Sequence, residues 1–258
     1  MSNGHDRHLQ EQIKLHRRLS AVYSEKRYTP PYSKLYQKHW NRTLCKLCLI
    51  PAGSRVIDYG CGTGILFSDL RERNYQAIGL DLSLDMLRTN ALDERKTFLI
   101  CGDGCAIPLM SESLDAVFCR GSLHHMPNIE LAFGEIARVL KRGGYLIFSE
   151  PSNDSVINRV VRRFMYRRSE EFHEDDEGLR RKQVLPLLSS LGLAVDYSRG
   201  FGFLAYTLAG FPDKLGLLSV VPGNCQITRF LIGLDSFLET LPAINSLALH
   251  WIVRARKL

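Results

Sequence analysis

The amino-acid sequence predicts a doubly wound α/β fold with a mostly parallel sheet, and three observations carry that prediction. From Arg55 onward, short runs of β-branched and aromatic residues alternate with stretches of helical periodicity, the rhythm of βαβ units. The first run, Val56-Ile57-Asp58-Tyr59, turns through the alternating glycines Gly60, Gly62 and Gly64 into a helical segment. Acids stand at successive strand ends: Asp58, Asp81 and Asp103. With 258 residues, 45% of them hydrophobic, the chain can bury one large core, and its length suits one domain with additions.

Taken in order, residues 9–23 and 35–48 place apolar residues at three- and four-residue intervals on either side of Pro30-Pro31. That spacing predicts two amphipathic helices, an N-terminal helical cap over residues 1–50. The main domain, 51–258, opens with strands expected over 55–59, 77–80, 97–101, 115–119 and 145–149. Helices are expected over 65–73, 84–92 and 129–140. The last of these should stop at Lys141-Arg142-Gly143-Gly144, where cations suit the carboxyl end and a glycine supplies a left-handed cap. The arginines and acids between Arg159 and Lys182 alternate in blocks, the pattern of solvated helices and a loop. A helix over 179–191, a strand over 194–198 and a final strand over 247–254 complete the list of elements. Between those strands lies an apolar helical insert at about 200–244, interrupted by Gly210, Pro212 and Gly216 and so too broken to span a membrane.

The formal charge of +7 sits at one end, because residues 1–48 carry ten Lys/Arg against three acids and the rest of the chain balances. Such an arm attracts anionic lipid, nucleic acid or an acidic small molecule, or is simply a solvated helix face. Seven cysteines, an odd number, fall within predicted core elements and the glycine loop with no secretory segment ahead of them, which reads as a reducing, cytoplasmic setting. Cys45 and Cys48 form a C-x-x-C inside an apolar helical pattern without a second ligand pair, so core packing is the better reading. Cys101 and Cys105 are read the same way, and no metal site is expected.

The strongest chemical signal is the loop Asp58-Tyr59-Gly60-Cys61-Gly62-Thr63-Gly64. Glycines there allow a tight turn and close approach of a ligand to backbone N–H groups. The spacing differs from the G-x-G-x-x-G of pyrophosphate binders, and Asp58 would repel a diphosphate. A ligand with cationic groups and no phosphate, such as S-adenosylmethionine, suits it. Asp81, at the end of the second strand, stands where a carboxylate can accept both ribose hydroxyls. Asp103, in Gly102-Asp103-Gly104, stands where it could accept from an adenine amino group. Any one of these acids alone would read as a cap or turn; three at successive strand ends do not.

On these residues the stretch from about Arg55 to Glu150 resembles the class I methyltransferases, and within them the small-molecule branch that includes ubiquinone and menaquinone biosynthetic enzymes. The resemblance rests on Val56 to Gly64, Gly79-Leu80-Asp81-Leu82-Ser83 with Met86, Gly102-Asp103, Leu114 to Val117, Leu123-His124-His125-Met126, and Arg138 to Gly144. It implies a seven-stranded Rossmann-like methyltransferase fold whose seventh strand is antiparallel, with S-adenosylmethionine as donor and S-adenosylhomocysteine as product. It further implies that Asp58 and the loop residues Gly60, Cys61, Gly62 and Gly64 lie near the methionine moiety. Leu82 or Met86 would pack on adenine, Gly102 to Gly104 would border it, and Arg120 and Gly121 would line the methionine side. The family's tight hairpin before the last strand is replaced here by the insert.

Methyl transfer from a sulfonium is a direct displacement, so the protein must align the nucleophile and, where needed, remove a proton. His125, His124 and Glu150, all at predicted strand ends, are the candidate bases, His125 first. After the fourth strand, Cys119-Arg120-Gly121-Ser122 lacks the Asn/Asp-Pro-Pro-Tyr/Phe signature of exocyclic-amine methylation and any Pro-Cys nucleophile, which disfavours nucleic acid as acceptor. Phe201, Phe203, Tyr206, Phe211, Leu215 and Leu217 are expected to roof a lipophilic acceptor, or else to pack on the sheet or form a dimer interface. The leading reading is therefore methyl transfer to a small lipophilic molecule, with peripheral membrane contact through the basic arm and insert. An RNA or protein methyltransferase docking through the arm, or a non-catalytic S-adenosylmethionine-binding protein, are the alternatives.

Overall fold

The computed structural model describes residues 26–90, 98–166 and 178–258. The predicted helix over 9–23 lies outside them. Helix α1 (Pro31–Leu47) starts four residues earlier than the periodicity suggested, because Pro31 occupies its first turn, where a missing N–H is harmless. Tyr32, Tyr36, Trp40 and Leu44, four residues apart, form its buried stripe.

The core alternates as expected: β1 (Arg55–Tyr59), α2 (Phe67–Glu72), β2 (Gln76–Asp81), α3 (Leu84–Asn90), β3 (Phe98–Cys101), β4 (Leu114–Arg120), α4 (Ile129–Val139) and β5 (Leu140–Pro151). Then come α5 (Val156–Tyr166), α6 (Arg181–Ser190), β6 (Leu193–Phe201) and β7 (His250–Lys257). The seven strands form one sheet in the order β3-β2-β1-β4-β5-β7-β6. Strands β1 to β5 pair in parallel, and β7 runs antiparallel to both neighbours. Side chains alternate between two buried clusters, one per face. Val56, Phe118, Ile147 and Ile252 join α1 and the insert. Ile57, Val117, Phe148 and Trp251 join α4 and α6.

Two boundaries and the burial of one cysteine depart from the sequence reading. Lys141 to Gly144 do not cap α4; the helix ends at Val139, and Leu140 already pairs with Leu114. The next pair is Ala116 with Tyr145, so the intervening four residues bulge from β5, with Gly143 at φ +79° and Lys141 bonded to Asp115 at 2.7 Å. The last strand begins at His250 rather than Leu247, because the side-chain amide of Asn245 accepts from Gly200 N–H and donates to the Gly200 carbonyl, which holds the chain in a turn until Leu249. Cys101 is exposed, unlike the buried Cys45 and Cys48, since β3 is an edge strand.

Between β6 and β7 the insert folds as α7 (Leu204–Ala209), a 3₁₀ turn (Gly216–Val220), α8 (Asn224–Leu238) and α9 (Pro242–Asn245). The Asp235 carboxylate of α8 accepts the N–H groups of Phe203, Leu204 and Ala205 at 2.8 to 3.0 Å, which satisfies the orphan donors at the start of α7. Arg27 grips Asp213 with two guanidinium nitrogens and lies 4.8 Å over the Phe211 ring. These contacts fold the insert over the carboxyl edge of the sheet. No helix among the described residues is long and apolar enough to cross a membrane.

Candidate active site

A cleft runs along that carboxyl edge, lined by the ends of β1 to β5, the start of β7, α1 and the insert. Its first half lies over β1, β2 and β3. There Gly60 and Cys61 each donate a backbone N–H to the carbonyl of Leu80, and Gly62 donates to Asp81 Oδ2 at 2.7 Å. The other oxygen of Asp81 accepts from Ser83 N at 2.8 Å, so this carboxylate pins the glycine loop to the start of α3. Asp103 is held likewise, accepting from Cys105 N at 2.8 Å.

Gly60, Cys61, Gly62, Asp81, Leu82, Met86, Gly102, Asp103, Gly104, Arg120, Gly121, His124 and His125 all line the cleft. Gly64, Asp58 and Glu150 do not. Asp58 is buried beneath the loop, and its carboxyl is pushed up to about 7 by burial, against the pull of Arg120 and with repulsion from Asp81.

A Cβ built on Gly60 would sit 2.4 Å from Cβ of Ser122, and the residue has φ +70°. Gly60→Ala is therefore expected to destabilise the protein by about 2–4 kcal/mol, the combined scale of left-handed strain and overpacking. Urea unfolding would check this. At Gly62 and Gly121, by contrast, a Cβ would meet no protein atom, so those two positions leave space on the cleft side.

The second half lies over β4, β5 and β7. Glu150 is fully buried; its Oε1 accepts Ser122 N and Leu123 N, both at 2.9 Å, and its Oε2 lies 2.6 Å from His124 Nδ1. Burial pushes the Glu150 carboxyl up to about 7 despite those bonds. Glu150 is thus set behind His124 and does not itself line the cleft. His125 stacks on His124 at 3.9 Å between centroids, and the 2.6 Å contact with Glu150 is made by His124.

Arg120 lies 4.1 Å over the Trp40 ring, donates to Gln37, and has a buried Nε with no partner among the described residues. Trp40 Nε1 donates to Ser149 Oγ at 3.0 Å; Ser149 Oγ lies 3.1 Å from His250 Nδ1; His250 Nε2 lies 2.6 Å from the Tyr206 hydroxyl.

Of the expected apolar roof, only Tyr206 and Phe211 line the cleft. Phe201 faces the core, where it packs on Trp40 and His39, while Leu217 points outward. Gln37, Arg162 and His250 line the cleft and were not singled out from the sequence. Only His250 left a trace there, as a titratable residue within the apolar run Leu247 to Val253.

Residues 57–148 match the family described as a methyltransferase domain. The demethylmenaquinone methyltransferase of Tropheryma whipplei is 32% identical over 155 residues, covering 58% of this chain and 62% of that protein, less than two thirds of its length. An S-adenosylmethionine-dependent methyltransferase from Mesorhizobium loti superposes with a TM-score of 0.59 at 18% identity, covering 84% of this chain and 96% of that one. The geranyl diphosphate C-methyltransferase of Streptomyces coelicolor, solved with S-adenosyl-L-homocysteine, gives 0.58 at 16%, covering 86% and 79%. At such identities the two structures speak for the fold alone. Together with the sheet order, they show that this chain has the Rossmann-like methyltransferase fold, with the family match confined to residues 57–148.

Proposed function

We propose that this protein transfers a methyl group from S-adenosylmethionine to a small molecule with an apolar body. The observation that carries the reading is that the glycine loop, Asp81 and Asp103 line one half of a cleft whose other half holds Arg120 and a carboxylate-supported histidine. The fit to the donor is supported by the open sides of Gly62 and Gly121 and by the buried, unpartnered Nε of Arg120, a donor suited to a carboxylate.

In this reading Asp81 takes the ribose hydroxyls, Asp103 the adenine amino group, and Leu82 and Met86 the faces of the base. Arg120 receives the carboxylate of the amino-acid end, and Asp58 supports its ammonium from beneath the loop. When bound, the donor supplies a methyl group on a sulfonium that a nucleophile displaces directly. His124, whose Nδ1 lies 2.6 Å from Glu150, is the group that accepts the proton the acceptor loses. Trp40, Tyr206, Phe211 and Met126 form the apolar wall against which the acceptor is held and from which water is excluded. Exposed Leu217, Val220, Phe230 and Phe237 on the insert support a peripheral contact with a membrane, from which a lipophilic acceptor would be drawn.

Calorimetric titration of S-adenosylhomocysteine into the purified protein tests the donor site, with micromolar affinity expected. Labelled methyl transfer to a panel of apolar acceptors follows from that. No binding by folded protein would overturn the proposal.

A further inference from the structure

We infer that the groove between α1 and α8 is a seat for the phosphate headgroups of an anionic membrane. The inference deepens the membrane contact read above and rests on it; the donor half of the cleft plays no part in it.

Lys34, Lys38, Arg42 and Lys46 recur every four residues along α1, so they form one row roughly 18 Å long. That row lies two residues, about 200°, round the helix from the buried stripe of Tyr32, Tyr36, Trp40 and Leu44. Arg229 of α8, which packs along α1, joins it from the other wall. The groove has a volume of about 740 Å³, and among the described residues no acid lines it.

An ordinary solvated helix face interleaves acids with its cations, because like charges four residues apart disfavour the helix. Helix α1 contains no Asp or Glu, and the one acid of α8, Asp235, turns inward to cap α7. Two of the five cations are partly relieved from outside the groove: Lys38 bonds to Glu72, and Arg42 lies 3.9 Å from the same carboxylate. The side chains of Lys34, Lys46 and Arg229 have no hydrogen-bond or ion-pair partner among the described residues. His39, which also lines the groove, is held below its ordinary pKa by burial first and then by the Lys46 ammonium, so the local field is positive.

Three unpaired cations in an open trough suit a row of phosphates. The exposed apolar residues beside the trough point to phosphates of a membrane rather than of a dissolved molecule. Phe230 follows Arg229 directly, and Phe237 lies seven residues on, along the same face of α8; they are 70% and 60% exposed. Val220, in the 3₁₀ turn ahead of α8, is 84% exposed. Cations beside exposed aromatic residues are the pattern of an element lying at a bilayer surface, with the charges on headgroups and the rings among acyl chains. Helix α1 also gives Gln37 and Trp40 to the cleft, so it carries the headgroup row on one side and a cleft wall on the other.

The test measures co-sedimentation at low salt with vesicles of phosphatidylcholine alone and of phosphatidylcholine mixed with phosphatidylglycerol. Wild type should bind the mixed vesicles about tenfold or more tightly, and the preference should fade as salt rises. Lys34→Gln/Lys46→Gln/Arg229→Gln alters only exposed side chains. It should bring the preference below about threefold, with binding to phosphatidylcholine alone, which reads Phe230 and Phe237, unchanged. Removing equal charge from other exposed positions, in Arg159→Gln/Arg163→Gln/Lys182→Gln, should leave the preference within about twofold of wild type. Binding to both vesicle types without preference would leave the membrane contact standing and overturn the headgroup seat; binding to neither would remove both. A groove variant that keeps the preference, or a control that loses it as fully, would also overturn the inference. So would release from the mixed vesicles by inorganic phosphate, or by a single-stranded RNA, at a lower phosphate concentration than the lipid presents. S-adenosylhomocysteine affinity reports separately on the donor site and should be the same for all three proteins.

Discussion

Asp81→Ala is expected to weaken S-adenosylhomocysteine binding by about 10²-fold or more. The carboxylate would accept two ribose hydroxyls while keeping the loop amide of Gly62 at 2.7 Å and that of Ser83 at 2.8 Å. Hydrogen bonds to a charged acceptor contribute about 1.5–3 kcal/mol each, so the loss of two ligand bonds alone gives a factor of that order. Release of the Gly62 amide adds to it, since the loop would no longer be held in its ligand-ready shape. Asp81→Asn, which can still accept from one of the two amides, should fall between the alanine variant and wild type. Calorimetry at neutral pH reads both variants, and an Asp81→Ala protein binding within threefold of wild type would remove Asp81 from the donor site.

The second large effect concerns Glu150 and pH. Its carboxyl titrates at about 7 in the folded protein because burial disfavours the charged form, against 4.5 for the ordinary side chain. A carboxyl raised in this way binds a proton in the folded state that the unfolded chain has already lost. Its contribution to stability is therefore fully present below pH 4.5 and disappears as pH rises through about 7. Glu150→Gln removes this titration while its amide oxygen can still accept from Ser122 and Leu123. Relative to the variant, wild type should lose about 3 kcal/mol of stability between pH 4.5 and pH 8. Urea unfolding of ligand-free protein across that range measures the difference, and parallel pH profiles for the two proteins would contradict it. With an acceptor in hand, the same variant should slow methyl transfer by about 10²-fold or more while leaving S-adenosylhomocysteine affinity unchanged, because His124 loses its carboxylate support.

The glycine-loop half of the cleft was legible in the sequence because its signals are local. An apolar strand, three alternating glycines and an acid at the next strand end all lie within Val56 to Asp81, and the turn that joins them is dictated by neighbours in the chain. The other half was not, because it is assembled from Gln37, Trp40, Arg162, Tyr206 and His250, whose proximity depends on how α1 and the insert cross the sheet. Periodicity marked Trp40 and Tyr206 as apolar and said nothing of the serine and histidine that their polar atoms would meet. Glu150 shows a third case. Its place at a strand end was readable, but which way its side chain turns follows from the pairing of β5 between β4 and β7, and that register turns it inward to His124 rather than toward a substrate. The Lys141 to Gly144 run misled for a related reason: cations before paired glycines suit a helix cap and a strand bulge equally, and only the partner strand decides.

The sheet order has a consequence for assembly. β7 is the last strand in the sequence, yet it lies inside the sheet, between β5 and β6. Until it is in place, β5 ends the parallel half with a bare row of backbone donors and acceptors, and β6 has no neighbour to pair with. Those open edges are the kind that recruit strands from other chains. Docking of the strand that closes them also brings His250 up to Ser149 and Tyr206, so one wall of the cleft depends on the same pairing that covers those edges.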